Sequence, residues 1–276
     1  MALKDLLVVV ANDPACATRL DVAGNLATAC GAHLTGLFVM ALPVVPGYIA
    51  VELPAEVYDL QRRRWQERAA EAERLFRARA DRTGLAHEWR TLEGDLVATT
   101  MLHARYTDLT IVGQGVDLGD AARDLAALPE ELALGVGRPV LVVPRYGTFP
   151  TVGVRVLVAW NGSREATRAV NDALPILQRA RKVTLLSMNP EEVIAPRVPG
   201  ADIALHLARH QVTVEAAATR ATDIEVGDVL LSYAADIGAD LIVMGAYGHS
   251  RLREMALGGA TRHILRHMTV PVLMSH

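Results

Sequence analysis

Short, wholly apolar runs alternate along the chain with longer stretches in which apolar positions recur every three or four residues. "LLVVVAND" (6–13) opens with five consecutive Leu and Val residues, and "VRVLVAWN" (154–161) repeats that texture in the second half. Runs without polar alternation suit strands buried on both faces, the situation of a parallel sheet covered by helices. In the second half "VRVLVAW", "KVTLLSM", "QVTVEA", "DLIVMG" and "VPVLMS" read as five strands. Helices are expected over "SREATRAVNDALPIL", over 227–238 and over 260–268, within a total of four alternating with the strands. Such alternation needs right-handed crossovers, so the expected fold is a doubly wound α/β sheet.

The chain also reads twice. "DLTIVG" (108–113) matches "DLIVMG" (240–245), and a Pro-Val-Leu strand follows each at the same 26-residue interval, Gly113 to Pro139 and Gly245 to Pro271. Upstream, "EGDLVATTMLHARYTD" parallels "VGDVLLSYAADIGAD", and matching "LLVVVAND" to "VRVLVAWN" sets Asp13 against Asn161. A fixed self-similarity of this kind marks two copies of one unit. The expected domains are 1–146 and 152–276, divided within "RYGTFPTVG" (145–153). The first copy is longer in its middle, through "LQRRRWQERAAEAERLFRARADR". Trp65, Ala69, Ala72 and Phe76 recur there at helical spacing, and Glu67, Glu71 and Glu73 interrupt the arginines. That mixture favours a helix packed along one stripe with a solvated charged face over a membrane- or nucleic-acid-binding helix, and leaves any further role of 61–82 open.

Composition agrees with this picture and narrows the partners. Hydrophobic residues make up 51% and aromatics only 4%, the Val, Leu, Ile and Ala palette of parallel strands. A net charge of −3 gives no general attraction to nucleic acid or anionic membrane. The first apolar run is too short to span a bilayer, and Asp5 stands where a signal peptide would carry a basic flank. Cys16 and Cys30 form no CxxC pair, so reduced thiols in a cytoplasmic protein are expected, with neither nucleic acid nor membrane as partner.

Candidate chemistry is concentrated in "MGAYGHSRLREMALGGAT" (244–261). With strand order 3-2-1-4-5, the crevice where the order reverses lies between the first and fourth strands, the usual ligand position in an open α/β sheet. Asn161 ends one of these strands and Gly245 the other, so a planar base could lie between them. Gly258, Gly259, Ala260 and Thr261 open the following helix, whose first N–H groups lack internal partners and favour phosphates.

The spacing Gly-x2-Gly-x9-Gly, followed by a short helix and a Pro-Val-Leu strand, resembles the nucleotide-binding motif of the universal stress protein family. The resemblance covers essentially the whole chain as a tandem two-domain member. It implies two tandem doubly wound five-stranded parallel-sheet domains, order 3-2-1-4-5, of the adenine-nucleotide alpha hydrolase-like type. It carries the family's adenine and ribose contacts onto Asn161, Met188, Met244 and Gly245, and its phosphate contacts onto Gly248, Gly258, Gly259, Ala260 and Thr261. ATP with Mg is the implied cofactor, and stress-response regulation through a protein partner the implied role. The last strands of the family pair about a two-fold axis. Here "RPVLVVP" and "VPVLMSH" would pair within one chain as an internal pseudo-dimer, with homodimerisation of the chain a separate matter. Where ATP-binding members have Ser or Thr after the third glycine and an acid ending the first strand, this chain has Gly259 and Asn161. The first copy departs further, with Val116, Ala126, Ala127 and Pro129 at the positions of Gly248, Gly258, Gly259 and Thr261. Pro129 has no N–H to donate, so this copy is expected not to hold a triphosphate.

No catalytic constellation is evident. There is no Gly-x-Ser-x-Gly elbow, no Walker-type loop and no Gly-x-Gly-x-x-Gly after either first strand. "ANDPA" and "AWNGSRE" replace the Ser-Gly-Gly-x-Asp-Ser loop of the related ATP pyrophosphatases. His206 with His210 and His263 with His267 are spaced i, i+4 but lack a third ligand at diagnostic spacing, so no metal site is expected. Arg251 and Arg253 either reach phosphates or pair with Glu254. Two alternatives to nucleotide-responsive regulation stand beside it: a nucleotide-independent scaffold, and slow ATP hydrolysis.

Overall fold

The structure, a computed structural model, describes residues 2–40, 55–115, 123–188, 200–219, 225–247 and 259–276. In the first half β1 (Asp5–Val9), α1 (Cys16–Cys30), β2 (His33–Met40), α2 (Ala55–Thr83), β3 (His87–Glu93), α3 (Leu96–Ala104), β4 (Leu109–Gly113), α4 (Arg123–Gly135) and β5 (Val140–Val143) alternate. The second half repeats them as β6 (Arg155–Trp160), α5 (Arg164–Leu177), β7 (Lys182–Met188), α6 (Ala201–Arg209), β8 (Val214–Thr219), α7 (Val226–Asp236), β9 (Leu241–Gly245), α8 (Ala260–His267) and β10 (Val272–Ser275). Sequence periodicity did not locate α6. It also set the third strand of this half three residues early, because Gln211 takes a left-handed turn (φ 66°) and pairing begins only at Val214.

All ten strands form one sheet, ordered β3-β2-β1-β4-β5-β10-β9-β6-β7-β8. Each half therefore has the order 3-2-1-4-5 with parallel neighbours, and the halves join where β5 and β10 pair antiparallel, Val142 opposite Val272 and Val140 opposite Met274. Both faces are covered, as the unbroken apolar strands require. Leu6, Val8, Ile111, Val156, Val158 and Val243 pack toward α1, α2, α5 and α6. Leu7, Val9, Val112, Leu157, Ile242 and Met244 pack toward α3, α4, α7 and α8. Ala69, Ala72 and Phe76 of α2 are buried and Trp65 is half-buried, so the stripe on the arginine-rich helix is core-facing.

The repeated Asp-Leu pair has a structural task in both halves. Asp108 accepts the backbone N–H groups of Lys4 and Asp5 (2.7 and 3.1 Å). Asp240 accepts those of Gly153, Val154 and Arg155 (3.1, 3.1 and 2.9 Å). Each carboxylate thus anchors the start of the neighbouring first strand.

These anchors also fix the true register of the repeat. Leu6 pairs with Leu109 and Val156 with Leu241, so Leu6 corresponds to Val156 and, counted along the strand, Ala11 rather than Asp13 corresponds to Asn161. Counted back from the helices, Asp13 and Asn161 do match. The first half has two extra residues between strand and helix, and a shift of two leaves every side chain on its original face, so hydrophobic patterning is blind to it.

Candidate functional site

The carboxyl ends of β6 and β9 are adjacent in the sheet, Val158 opposite Val243, so Asn161 and Gly245 do flank the crevice where strand order reverses. Met188 closes β7 one strand further out. Met188 and Met244 belong to the apolar layer that also holds Ile264 of α8, which sets both thioethers and α8 on one side of the sheet. Asn161 is exposed, and its Oδ1 accepts the Ser163 N–H (3.1 Å). Ser163 in turn caps α5 by accepting the Ala166 N–H (3.1 Å). The Asn161 Nδ2 group has no partner among the described residues.

Gly245 has its close neighbour within the protein. A Cβ there would meet Ala166 N at 2.5 Å and the Glu165 backbone at 2.6 Å, so the missing side chain makes room for the start of α5 on the face opposite α8. Glu165 lies in that first turn, its side chain 10% exposed. Burial pushes its carboxyl up, but its own N–H, the Arg164 guanidinium, the Ser163 hydroxyl and His276 outweigh this and hold it below the usual value.

On the other face α8 follows Gly259, which offers no side-chain cap to the first-turn N–H groups. Ala260 is half-buried at the first helical position. Thr261 is 4% exposed, and its Oγ1 accepts the Tyr247 N–H (3.2 Å), tying the end of β9 to the first turn of α8. Tyr247 itself sits in the left-handed region, at φ 56°. Gly248, Gly258, Arg251, Arg253 and Glu254 lie outside the described residues.

Sequence reasoning missed a polar group built from both halves. Arg262, in the first turn of α8, donates from Nε to Glu130 Oε1 of α4 (3.1 Å). Burial, reinforced by the Glu130 carboxylate, pushes the Tyr247 phenol well above its ordinary value. Tyr247 and Arg262 lie in or beside the motif and could have been flagged. Glu130 is 132 residues away in sequence, and no local pattern points to it.

The corresponding crevice of the first half is filled by the protein. Arg19, 3% exposed, donates from Nε to Val9 O (2.8 Å) and pairs through Nη2 with Asp13 Oδ2 (2.7 Å). A Cβ on Gly113 would overlap this guanidinium, so the glycine shared by both halves accommodates Arg19 here and α5 there. Leu125 and Leu128 help close the space to about 40 Å³. Alignment on the Pro-Val-Leu strand put Ala126, Ala127 and Pro129 at the opening of a helix, but they lie within α4, which starts earlier relative to β5 than α8 does to β10. A Cβ on Gly115 would overlap the Ala126 carbonyl, so α4 runs through the room a phosphate would need.

The rings of the histidine pairs, His206 with His210 and His263 with His267, lie tilted against each other with centroids 4.6 Å apart. His263 also contacts two carboxylates, Glu225 (2.9 Å) and Asp228 (2.7 Å). Among the described residues no group of three His, Cys, Asp or Glu side chains is arranged to hold a metal, and no helix is long and apolar enough to cross a membrane.

Comparison with known proteins agrees with this architecture. Residues 154–276 match the model of the universal stress protein family. Universal stress protein Slr1230 of Synechocystis is 29% identical over 173 residues, covering 60% of this chain and 57% of the relative, so the match spans less than two thirds of that protein. A universal stress protein structure from Archaeoglobus fulgidus is 17% identical and covers 98% of this chain and 95% of its own, with a TM-score of 0.77. A functionally unknown protein from Pseudomonas aeruginosa PAO1 is 16% identical, with coverages of 99% and 92% and a TM-score of 0.55. At such identities the structural likeness speaks for the fold. Together with the doubly wound sheet of order 3-2-1-4-5, the comparisons show a universal stress protein domain match over 154–276 and, for the chain as a whole, the fold of a solved universal stress protein.

Proposed function

We propose that the second half binds an adenine nucleotide, ATP in the first instance, and that the chain acts as a nucleotide-responsive stress regulator in the cytoplasm. The observation that carries this reading is the contrast between the halves. The same crevice is filled by Arg19 and crossed by α4 in the first, whereas the described residues that border it in the second include Asn161 and the start of α8, where Gly259 supplies no side-chain cap. On this reading the base lies among Asn161, Met188, Met244 and Gly245, and the phosphates lie against the first turn of α8 at Gly259, Ala260 and Thr261. Gly248 and Gly258, outside the described residues, are the further phosphate contacts that the family resemblance implies. The backbone N–H groups offset phosphate charge, the helix dipole adds to this, and magnesium would ride on the phosphates. Domains 1–146 and 152–276 then divide the labour, one binding and one supporting.

Binding at a hundredfold excess over Kd would stabilise the protein by about 2.7 kcal/mol. ATP is therefore expected to raise the melting temperature, and mass spectrometry of protein purified without added nucleotide to reveal a bound adenine nucleotide. A flat melting response with no co-purified nucleotide would instead favour a nucleotide-independent scaffold acting through its surfaces. That second reading draws on two observations: Gly245 is accounted for by α5, and the Thr261 hydroxyl already serves Tyr247. Slow hydrolysis is the weaker alternative, since no described side chain is positioned to activate water.

A further inference from the structure

We propose that Gln114, in the first half, is a positioning residue for the nucleotide site in the second, because it holds the far end of the helix whose start would meet the phosphates. The inference rests on the nucleotide reading of α8. Gln114 directly follows β4 and occupies the place that Ala246 occupies after β9, each donating its backbone N–H to the last strand of its own half (to Val143 and Ser275, both 2.8 Å). From there the Gln114 side chain crosses to the other half. Its Nε2 donates to the carbonyl oxygens of Leu265 and Arg266, both at 2.9 Å, and its Oε1 accepts the Arg145 N–H at 3.0 Å. The partners are backbone groups of fixed polarity, so the orientation of the amide is determined: donor toward α8, acceptor toward Arg145.

The last carbonyls of a helix have no intrahelical partner, and here the first half supplies it. Glu130 reaches the opposite end of the same helix through Arg262. An eight-residue helix is too short to hold its place by its own hydrogen bonds, so contacts at its two ends help decide where its first turn sits. Ala246 has no side chain with which to return the Gln114 contact. At this position the support therefore runs one way, from the half whose crevice is filled toward the half whose helix start is uncapped. By linkage, a nucleotide that favours the seated position of α8 must also tighten the Gln114 contact, which gives occupancy a route to the first half.

The full-length chain tests this with two substitutions of opposite polarity. Gln114→Glu keeps size and shape but turns an oxygen toward the Leu265 and Arg266 carbonyls. Gln114→Lys changes shape but keeps a donor, now cationic and suited to a helix C-terminus. Two readouts are needed: hydrogen exchange at the α8 amides without nucleotide, and ATP affinity by titration calorimetry. Gln114→Glu is expected to speed exchange in α8 while β9 and β10 remain protected, and to weaken ATP binding by about fivefold or more. Gln114→Lys should stay near wild type in both. Wild-type behaviour of Gln114→Glu, or equal damage by both substitutions, would overturn the proposal, the latter because it indicates packing rather than donation. If the wild-type protein binds no ATP, the nucleotide reading fails. The exchange arm still decides whether Gln114 seats α8.

Discussion

Glu165 shows how one residue answers to several elements at once. It stands in the first turn of α5, its backbone lies against Gly245, and its carboxyl is held below the ordinary value of 4.5 despite burial. A depressed folded-state value means that the charged form contributes stability above about pH 4.5, and that the contribution fades as pH falls through the folded value. Glu165→Gln should remove about 1 kcal/mol at pH 7, in the range of a first-turn acid on a helix dipole, and flatten the acid limb of a urea-denaturation series. An unchanged acid limb would show that the carboxylate is not stabilising there. None of this was legible locally. Gly245 could be singled out as a glycine needing room, but which atoms take that room depends on how α5 docks. The Asp of each Asp-Leu pair was visible as a repeat, and its capping of a neighbouring strand was not, because those contacts span 103 and 104 residues in one half and 85 to 87 in the other.

At the scale of elements, α8 and α4 show what divergence within a repeat can do. Both precede the last strand of their half, yet α4 is five residues longer and carries Pro129 inside it, while α8 starts at an uncapped glycine. Ala260→Asp separates stability from binding. An acid at the first helical position is favoured by the dipole, so folding should be unaffected or slightly strengthened, by up to about 1 kcal/mol. The same carboxylate would repel phosphates, so the ATP-induced melting shift should disappear. A full shift in this variant would mean that the phosphates lie elsewhere. Strand identity was readable because unbroken apolar runs and a 26-residue repeat interval over-determine it, whereas strand order came from the family resemblance. The two-residue insertion before α1 was not, since it preserves every inward and outward assignment. α6, a nine-residue helix in which only Leu207 is fully buried, was not located from the sequence.

For the whole molecule, β5 and β10 make the two halves neighbours in one sheet, and Gln114, Glu130 and Arg168 add polar contacts across the same boundary, the last donating to the Gly137 carbonyl. Heating should therefore give one cooperative transition with matching calorimetric and van't Hoff enthalpies, and ATP should shift all of it. Two resolved transitions, of which ATP moves only one, would show that the seam does not couple the halves. The antiparallel seam has one more consequence. Two separate copies joined at such an edge would part on dilution, and being identical they would have to keep or lose a binding site together. Tethered in one chain, the halves stay at high local concentration however scarce the protein becomes, and each is free to change alone. On the nucleotide reading proposed above, one pocket per pair would then be a fixed stoichiometry written into the polypeptide, with the other half left to respond to it.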